Sequence, residues 1–370
     1  MMNDDLSPQL AESLADFTHT LIDQQAARII VSPHHGGSGF WFGGGNLIED
    51  SQGRLLLVGR YRNHGDSRAG VQLGDRGLEL AIFRSEDRGQ SFDKILSWSK
   101  QDLRVGESEV LSIEGSALRW TTNGVELLLS SEKTNLAYPV GLEAYQKPGT
   151  GVWTIDLLQA EHLEGLQDAK IRTVLRGTDP QFTHVKDPHL YEDPQRTLVL
   201  FCTHPFNWTS SNTAWAVKGN DQDDYTNVNF DFFPRGFTWD VAITRGTCLI
   251  DVPRIGAFAN RTLSLMFYDG GESLRNLEPH IASPARPRGY SCEELGGVAY
   301  VLNREWQTIK RLSHTLPWFV SPYGTGSSRY VDVHRSTDGY FVTWQQSQPD
   351  QSQPLVMNFV PHDRVREILA

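Results

Sequence analysis

Residues 46–58 read Asn-Leu-Ile-Glu-Asp-Ser-Gln-Gly-Arg-Leu-Leu-Leu-Val: a short apolar run, a polar turn, and a second apolar run. Two such runs joined by turn residues specify a β-hairpin. The unit returns at 117–130 with a turn at Asn123-Gly124, and at 188–202 with a turn at Asp193-Pro194-Gln195-Arg196. It returns again at 252–267 with a turn at Asn260-Arg261, and at 331–344 with a turn at Asp338-Gly339. The spacing is about 65 to 80 residues, and recurrence at such a period marks a repeat architecture. A third strand is expected after each hairpin, at 78–84, 151–156, 213–218, 296–302 and 354–360, and a fourth beyond it, as at 92–97 and 306–312. A four-stranded sheet repeated radially five times is an all-β fold, a five-bladed β-propeller.

Outside the repeats, Leu6, Leu10, Leu14, Phe17, Leu21 and Ile22 recur at three- and four-residue steps, which predicts one short N-terminal helix. The organisation expected is a helical extension at 1–28 and a single propeller at 29–370, with the 28–42 stretch supplying an outer strand that helps close the ring. The chain has 370 residues, 33 of them Gly and 18 Pro, and 39% are hydrophobic, a globular composition that excludes disorder, collagen and coiled coil. With 34 basic and 45 acidic residues the formal net charge is −11, which repels nucleic acid and anionic membrane. No run of about 18 apolar residues and no basic-then-apolar leader is present, so a soluble, cytoplasmic protein is expected. The cysteines Cys202, Cys248 and Cys292 are widely spaced and suggest neither a disulfide framework nor a zinc site. No cofactor is expected. The architecture would accept a calcium or sodium ion in its channel, but no ligand pattern for one stands in the chain.

In a propeller the innermost strands all begin at one face of the central channel, so residues at those starts converge from different blades. At or beside the starts stand Asn46, Glu114 with Gly115, Asp187, Asp251 and Asp332. The loops at the same face add Arg60, Arg62, His64, His204, Trp208 and Tyr290, while His189 and Arg254 lie just inside strands. Carboxylates, guanidinium groups, imidazoles and exposed aromatics suit a carbohydrate, because aromatic faces stack on sugar C–H surfaces and charged forks bind hydroxyls. Two opposed carboxyl groups are what glycosidic hydrolysis requires, one to protonate the leaving oxygen and one to activate water or attack the anomeric carbon.

The repeat count, the Lys186-Asp187-Pro188-His189-Leu190-Tyr191 strand start and the Met266-Phe267-Tyr268 strand end resemble the five-bladed propeller glycosidases, such as glycoside hydrolase families 43, 32, 117 and 130. The resemblance implies an exo-acting glycosidase with Asp187 tuning the acid and orienting the substrate. Family 43 members place the base at the start of the first blade, where this chain has Gly43-Gly44-Gly45-Asn46 and no acid. The implied set is therefore moved one blade on, to Glu114, Asp187 and Asp251. Glu114-Gly115-Ser116 echoes the acid-blade motif, and Glu294 is an alternative acid. Ser85-Glu86-Asp87-Arg88-Gly89-Gln90-Ser91-Phe92 is similar to the Asp box of sialidases, a structural turn. The arginine of the sialidase F/Y-R-I-P motif would fall within Phe42-Gly43-Gly44-Gly45 and is absent. Two other functions fit the same residues: a polysaccharide lyase acting on a uronate-containing glycan, and a propeller that binds glycan or protein without chemistry.

Overall fold

A computed structural model describes residues 6–63, 75–146, 148–177, 179–193, 196–207, 210–218, 225–271 and 294–370. Among them, five antiparallel sheets follow one another along the chain, at 41–99, 110–176, 184–233, 243–311 and 328–361. In each, hydrogen-bonded neighbours follow chain order from an inner strand outward, and the inner strands of successive sheets pack side by side. The fifth sheet takes its outermost strand from the other end of the chain: Arg28–Val31 pairs antiparallel with Leu355–Pro361, so the first residues of the ring close the last blade.

The second strands are buried on both faces, because a neighbouring blade covers each side; Leu55–Asn63 and Gly124–Lys133 bury nearly every residue. That is why they read as continuous apolar runs and not as alternating ones. Leu56, Val58, Leu80 and Ile82 of the first blade interleave with Leu118, Leu127 and Leu129 of the second. The expected N-terminal helix, α1 (Pro8–Leu21), is capped by the Ser7 hydroxyl accepting the Leu10 N–H at 3.3 Å. Its Leu10, Leu14, Phe17 and Leu21 pack on the fourth and fifth blades. A second helix, α2 (His362–Leu369), joins the same core through Val365 and Leu369 and was not expected from the sequence.

The turn at 85–92 is organised by Asp87, whose carboxylate accepts the Ser91 hydroxyl (2.6 Å), the Ser91 N–H (2.9 Å) and the Ser85 hydroxyl (2.8 Å). These bonds hold its carboxyl down to about 2.

What positions the site is a bulge at one level in every inner strand. In the third blade Lys186 pairs with Cys202 and His189 with Leu200, so Asp187 and Pro188 together face one residue. Glu114 and Gly115 do the same in the second blade, and Tyr330 and Val331 in the fifth. In the fourth the shift falls at Gly246–Cys248, and in the first at the residues between Gly43 and Leu47. A bulge re-aims a side chain and bends the strand, and residues at all five bulges line one pocket.

Just past the bulges, polar side chains clasp one blade to the next. Asp332 Oδ2 accepts the Leu47 N–H at 2.8 Å, joining the fifth blade to the first. Asn46 Oδ1 accepts the Leu118 N–H at 2.7 Å, joining the first to the second. His189 Nε2 accepts the Leu249 N–H at 3.2 Å, joining the third to the fourth. Burial pushes the Asp332 carboxyl up to about 7 against its N–H and thiol donors. A folded-state value above the unfolded one means that the stabilisation is complete below about pH 4 and is lost as pH rises through 7. Asp332→Ala is expected to cost about 1–3 kcal/mol by orphaning the Leu47 N–H. Asp332→Asn, which keeps an acceptor and cannot ionise, is expected to flatten the fall in Tm between pH 5 and 8 in thermal melts.

Candidate active site

The bulges open on a pocket lined by Gly44, Gly115, Asp187, His189, Arg245, Tyr330 and their neighbours. Asp187 occupies its wall from the third blade with φ +56°, a left-handed conformation that costs a non-glycine residue about 1–3 kcal/mol. Its Oδ1 accepts the Gly115 N–H at 2.8 Å, and its own N–H donates to the Ser130 hydroxyl at 3.0 Å. A side chain at position 115 would put its Cβ 2.6 Å from Asp187 Oδ1, so the glycine is what lets the carboxylate reach that backbone donor. Cys202 Sγ lies 3.4 Å from Oδ2 as a weak donor. Burial by itself would raise the Asp187 carboxyl, but the charges of Lys186, Arg245 and Arg60 hold it well below the usual carboxylate range. The three cations favour its ionised form.

Arg245, from the fourth blade, is the hub of the charge network. Its Nη1 donates to Asp187 Oδ2 at 3.2 Å, and Nε and Nη2 both donate to Asp269 Oδ2 at 3.0 and 2.7 Å. Its Nη2 also pairs with Glu294, which Arg329 Nη1 meets at 3.1 Å from the fifth blade. Burial pushes the Asp269 carboxyl up to about 7 against the pull of Arg245, and the Glu294 charge adds to the rise. On the opposite side Arg60 Nη2 donates to Glu114 Oε2 at 3.1 Å, and Ser112 donates to Glu114 Oε1 at 2.9 Å. Burial opposes ionisation of Glu114, yet Arg60 and Lys186 lower its carboxyl below the ordinary value. Tyr330 stands between the two groups. Its hydroxyl is 3.1 Å from Arg60 Nη2 and 3.5 Å from Asp187 Oδ1, and the Arg245 guanidinium lies 3.9 Å from its ring centroid.

The arrangement of five such sheets about one pocket has counterparts among solved structures over nearly the whole chain. A structure described as a glycoside hydrolase aligns with a TM-score of 0.61 at 10% identity, covering 96% of this chain and 96% of that one. A thermostable family-43 glycoside hydrolase aligns with a TM-score of 0.56 at 12% identity, over 89% of this chain and 92% of that one. The fold is the five-bladed β-propeller. A β-1,2-mannobiose phosphorylase from Listeria innocua, in complex with β-1,2-mannobiose, shares it with a TM-score of 0.54 at 11% identity, over 92% and 96% of the two chains. No family model and no curated protein sequence matches the chain.

The propeller brings some of the sequence-nominated residues together and separates others. Glu114 and Asp187 meet through Gly115, Arg60 adjoins both, and Glu294 is tied to Asp187 through Arg245. His189 lines the pocket but spends Nε2 on Leu249, and burial lowers its imidazole to about 4, so it is a neutral ring carrying its proton on Nδ1. His204 has neither ring nitrogen hydrogen-bonded among the described residues, and burial, with Lys186 nearby, lowers it too. Arg62 stacks on Trp41, 4.3 Å from the ring centroid.

Asp251 is a correction. It ends the fourth inner strand, Ile243–Asp251, six residues past Arg245 and thus about 20 Å along an extended chain. There it holds Tyr191 (3.0 Å), Ser264 (2.6 Å) and Arg304 (2.7 Å), away from the pocket. Arg254 lies just beyond that strand end, bonded to Thr262, and Asp332 serves as the clasp described above. His64, Trp208 and Tyr290 lie outside the described residues. Sequence reasoning missed Arg245 and Tyr330 because it began the fourth inner strand at 252 and the fifth at 331. Pro253, which has no N–H for a ladder, was the available signal that no inner strand begins there.

Proposed function

We propose that this protein hydrolyses glycosidic bonds, with Glu114 and Asp187 as its carboxyl pair and residues 29–370 as one catalytic unit. The observation that carries the reading is that Asp187 lines a pocket on the propeller axis and accepts the N–H of Gly115, the residue after Glu114, while Arg60 holds Glu114 and meets the Tyr330 hydroxyl in the pocket wall. Asp187 is the ionised partner that orients the sugar and steadies positive charge at the anomeric carbon, and Glu114 exchanges the proton with the leaving oxygen. A pocket with Tyr330 in its wall suits one terminal sugar, hence exo-action, with His189, Arg245 and Tyr330 as polar groups lining it and Arg60 behind the Tyr330 hydroxyl. The fold neighbours support the reading: two are described as glycoside hydrolases and one as a mannobiose phosphorylase. The turn at 85–92 is read as an Asp box, a structural marker and not part of the site. The net charge of −11 argues for a carbohydrate partner and against nucleic acid or an anionic membrane. No helix among the described residues is long and apolar enough to cross a membrane.

The test is a panel of aryl glycosides and oligosaccharides, assayed with and without inorganic phosphate, with detection of unsaturated products in the near ultraviolet. Release of free sugar independent of phosphate supports hydrolysis; unsaturated product or a phosphate requirement overturns it in favour of a lyase or a phosphorylase. Because Arg60 and Lys186 keep Glu114 below the ordinary carboxylate range, its protonated fraction grows as pH falls. The kcat/KM profile is therefore expected to rise from pH 8 toward pH 5, limited below by unfolding. A flat or alkaline profile would move the acid role to another group, first of all Asp269.

A further inference from the structure

The position of Tyr330 is unexplained by packing alone. In the first, third and fifth blades the bulge begins with a residue at positive φ: Gly44 at +75°, Asp187 at +56° and Tyr330 at +54°. Glycine adopts this without strain, but a bulky aromatic residue there is an outlier, and such strain clusters at functional sites. The strain places the Tyr330 hydroxyl between the two halves of the carboxyl pair. A guanidinium only donates, so Arg60 Nη2, at 3.1 Å, obliges the phenol oxygen to accept. Burial keeps the phenol protonated far above neutrality. Its own proton must then point elsewhere, and the carboxylate within reach is Asp187 Oδ1 at 3.5 Å, the outer limit of a hydrogen bond. The result is a one-way chain, Arg60 to Tyr330 to Asp187, while the same Arg60 nitrogen also holds Glu114. The backbone contributes as well, since the Tyr330 N–H donates to both oxygens of Asp269 at 3.0 and 3.1 Å.

We propose that Tyr330 is a positioning residue that acts through Asp187, its strained backbone holding the hydroxyl where it fixes the carboxylate against the pocket and couples it to Arg60. This rests on the hydrolase reading for its kinetic test, but not for its structural one. Loss of the hydroxyl frees the carboxylate from one of its donors without changing the shape of the pocket, so turnover should suffer more than binding. A misplacement of about 1 Å at a reacting group is worth roughly 10²-fold in rate.

The experiment compares wild type, Tyr330→Phe, Cys202→Ala and the double variant. Phenylalanine keeps the ring between the guanidinium groups, and Arg60 keeps its bonds to Glu114 and the Gly43 carbonyl. On the best glycoside of the panel, Tyr330→Phe should lower kcat by roughly 10²-fold with KM within about threefold. Cys202 also meets the Asp187 carboxylate, so the two losses should fail to multiply in the double variant. A kcat within about twofold of wild type, or losses that multiply as independent effects do, overturns the proposal. If wild type cleaves no glycoside, the hydrolase reading fails by itself, and crystal structures of wild type and Tyr330→Phe decide the matter. An Asp187 carboxylate turned away from the Gly115 N–H in the variant supports the coupling, and an unmoved one overturns it.

Discussion

Asp187→Asn is expected to abolish turnover, by at least about 10³-fold in kcat, while leaving the melting curve close to that of wild type. The amide is nearly isosteric, and its oxygen can still accept the Gly115 N–H that Asp187 Oδ1 takes at 2.8 Å. What it cannot supply is negative charge. Removing a charged participant from a low-dielectric site costs of order 10²–10⁴ in rate for acid–base work, and more where the same group steadies a developing cation. The fold should tolerate the change because Arg245, which pairs with Asp187, keeps Asp269 and Glu294. The measurement is kcat on the substrate found in the panel, alongside circular-dichroism melts. Undiminished kcat with the fold intact would remove Asp187 from the mechanism, and with it the assignment of the carboxyl pair.

The propeller was legible because its signal is redundant: turns such as Asn123-Gly124 and Asp338-Gly339 each separate two apolar runs, and five weak hairpins at one period make a strong pattern. The N-terminal helix was legible from the spacing of Leu10, Leu14, Phe17 and Leu21, all of them buried. Half of the site was legible, in Glu114 and Asp187, because both are acids standing just before the strands drawn at 117 and 188, although those strands begin earlier, at Val110 and His184. The other half was not, for a physical reason. A bulge inserts a residue without leaving a composition signal, and a one-residue error in register moves a side chain to the other face of its sheet. Tyr330 lay one residue outside the strand as drawn. In the fourth blade the error was a whole strand, so the position assigned to Asp251 belongs to Arg245, and an expected carboxylate became a guanidinium. The acids gathered at the axis, Glu114, Asp187, Asp269 and Glu294, are matched there by Arg60, Lys186, Arg245 and Arg329.

That matching sets up the largest stability effect expected in the molecule. Arg245→Met keeps much of the side-chain volume and removes the counter-ion shared by Asp187, Asp269 and Glu294, all of them buried. Breaking a buried ion pair from one side costs about 3–5 kcal/mol, because the surviving charge stays desolvated. Here three carboxylates are affected, partly relieved by Lys186 on Asp187 (3.9 Å), Arg329 on Glu294 and the Tyr330 N–H on Asp269. The deficit must depend on pH. Without Arg245 the Asp269 carboxyl, already raised by burial, rises further, and Asp187 loses one of the charges that hold it low, so the deficit against wild type shrinks as pH falls and these acids take up protons. Urea melts at pH 8 and pH 5 should therefore show a gap from wild type that narrows at the lower pH. Adding Asp269→Asn to Arg245→Met, which removes one orphaned charge, should recover part of the loss at pH 8 and little at pH 5. A gap equal at both pH values would mean that Arg245 contributes packing and not charge, and the network around Asp187 would then have to be held by Lys186 and Arg60.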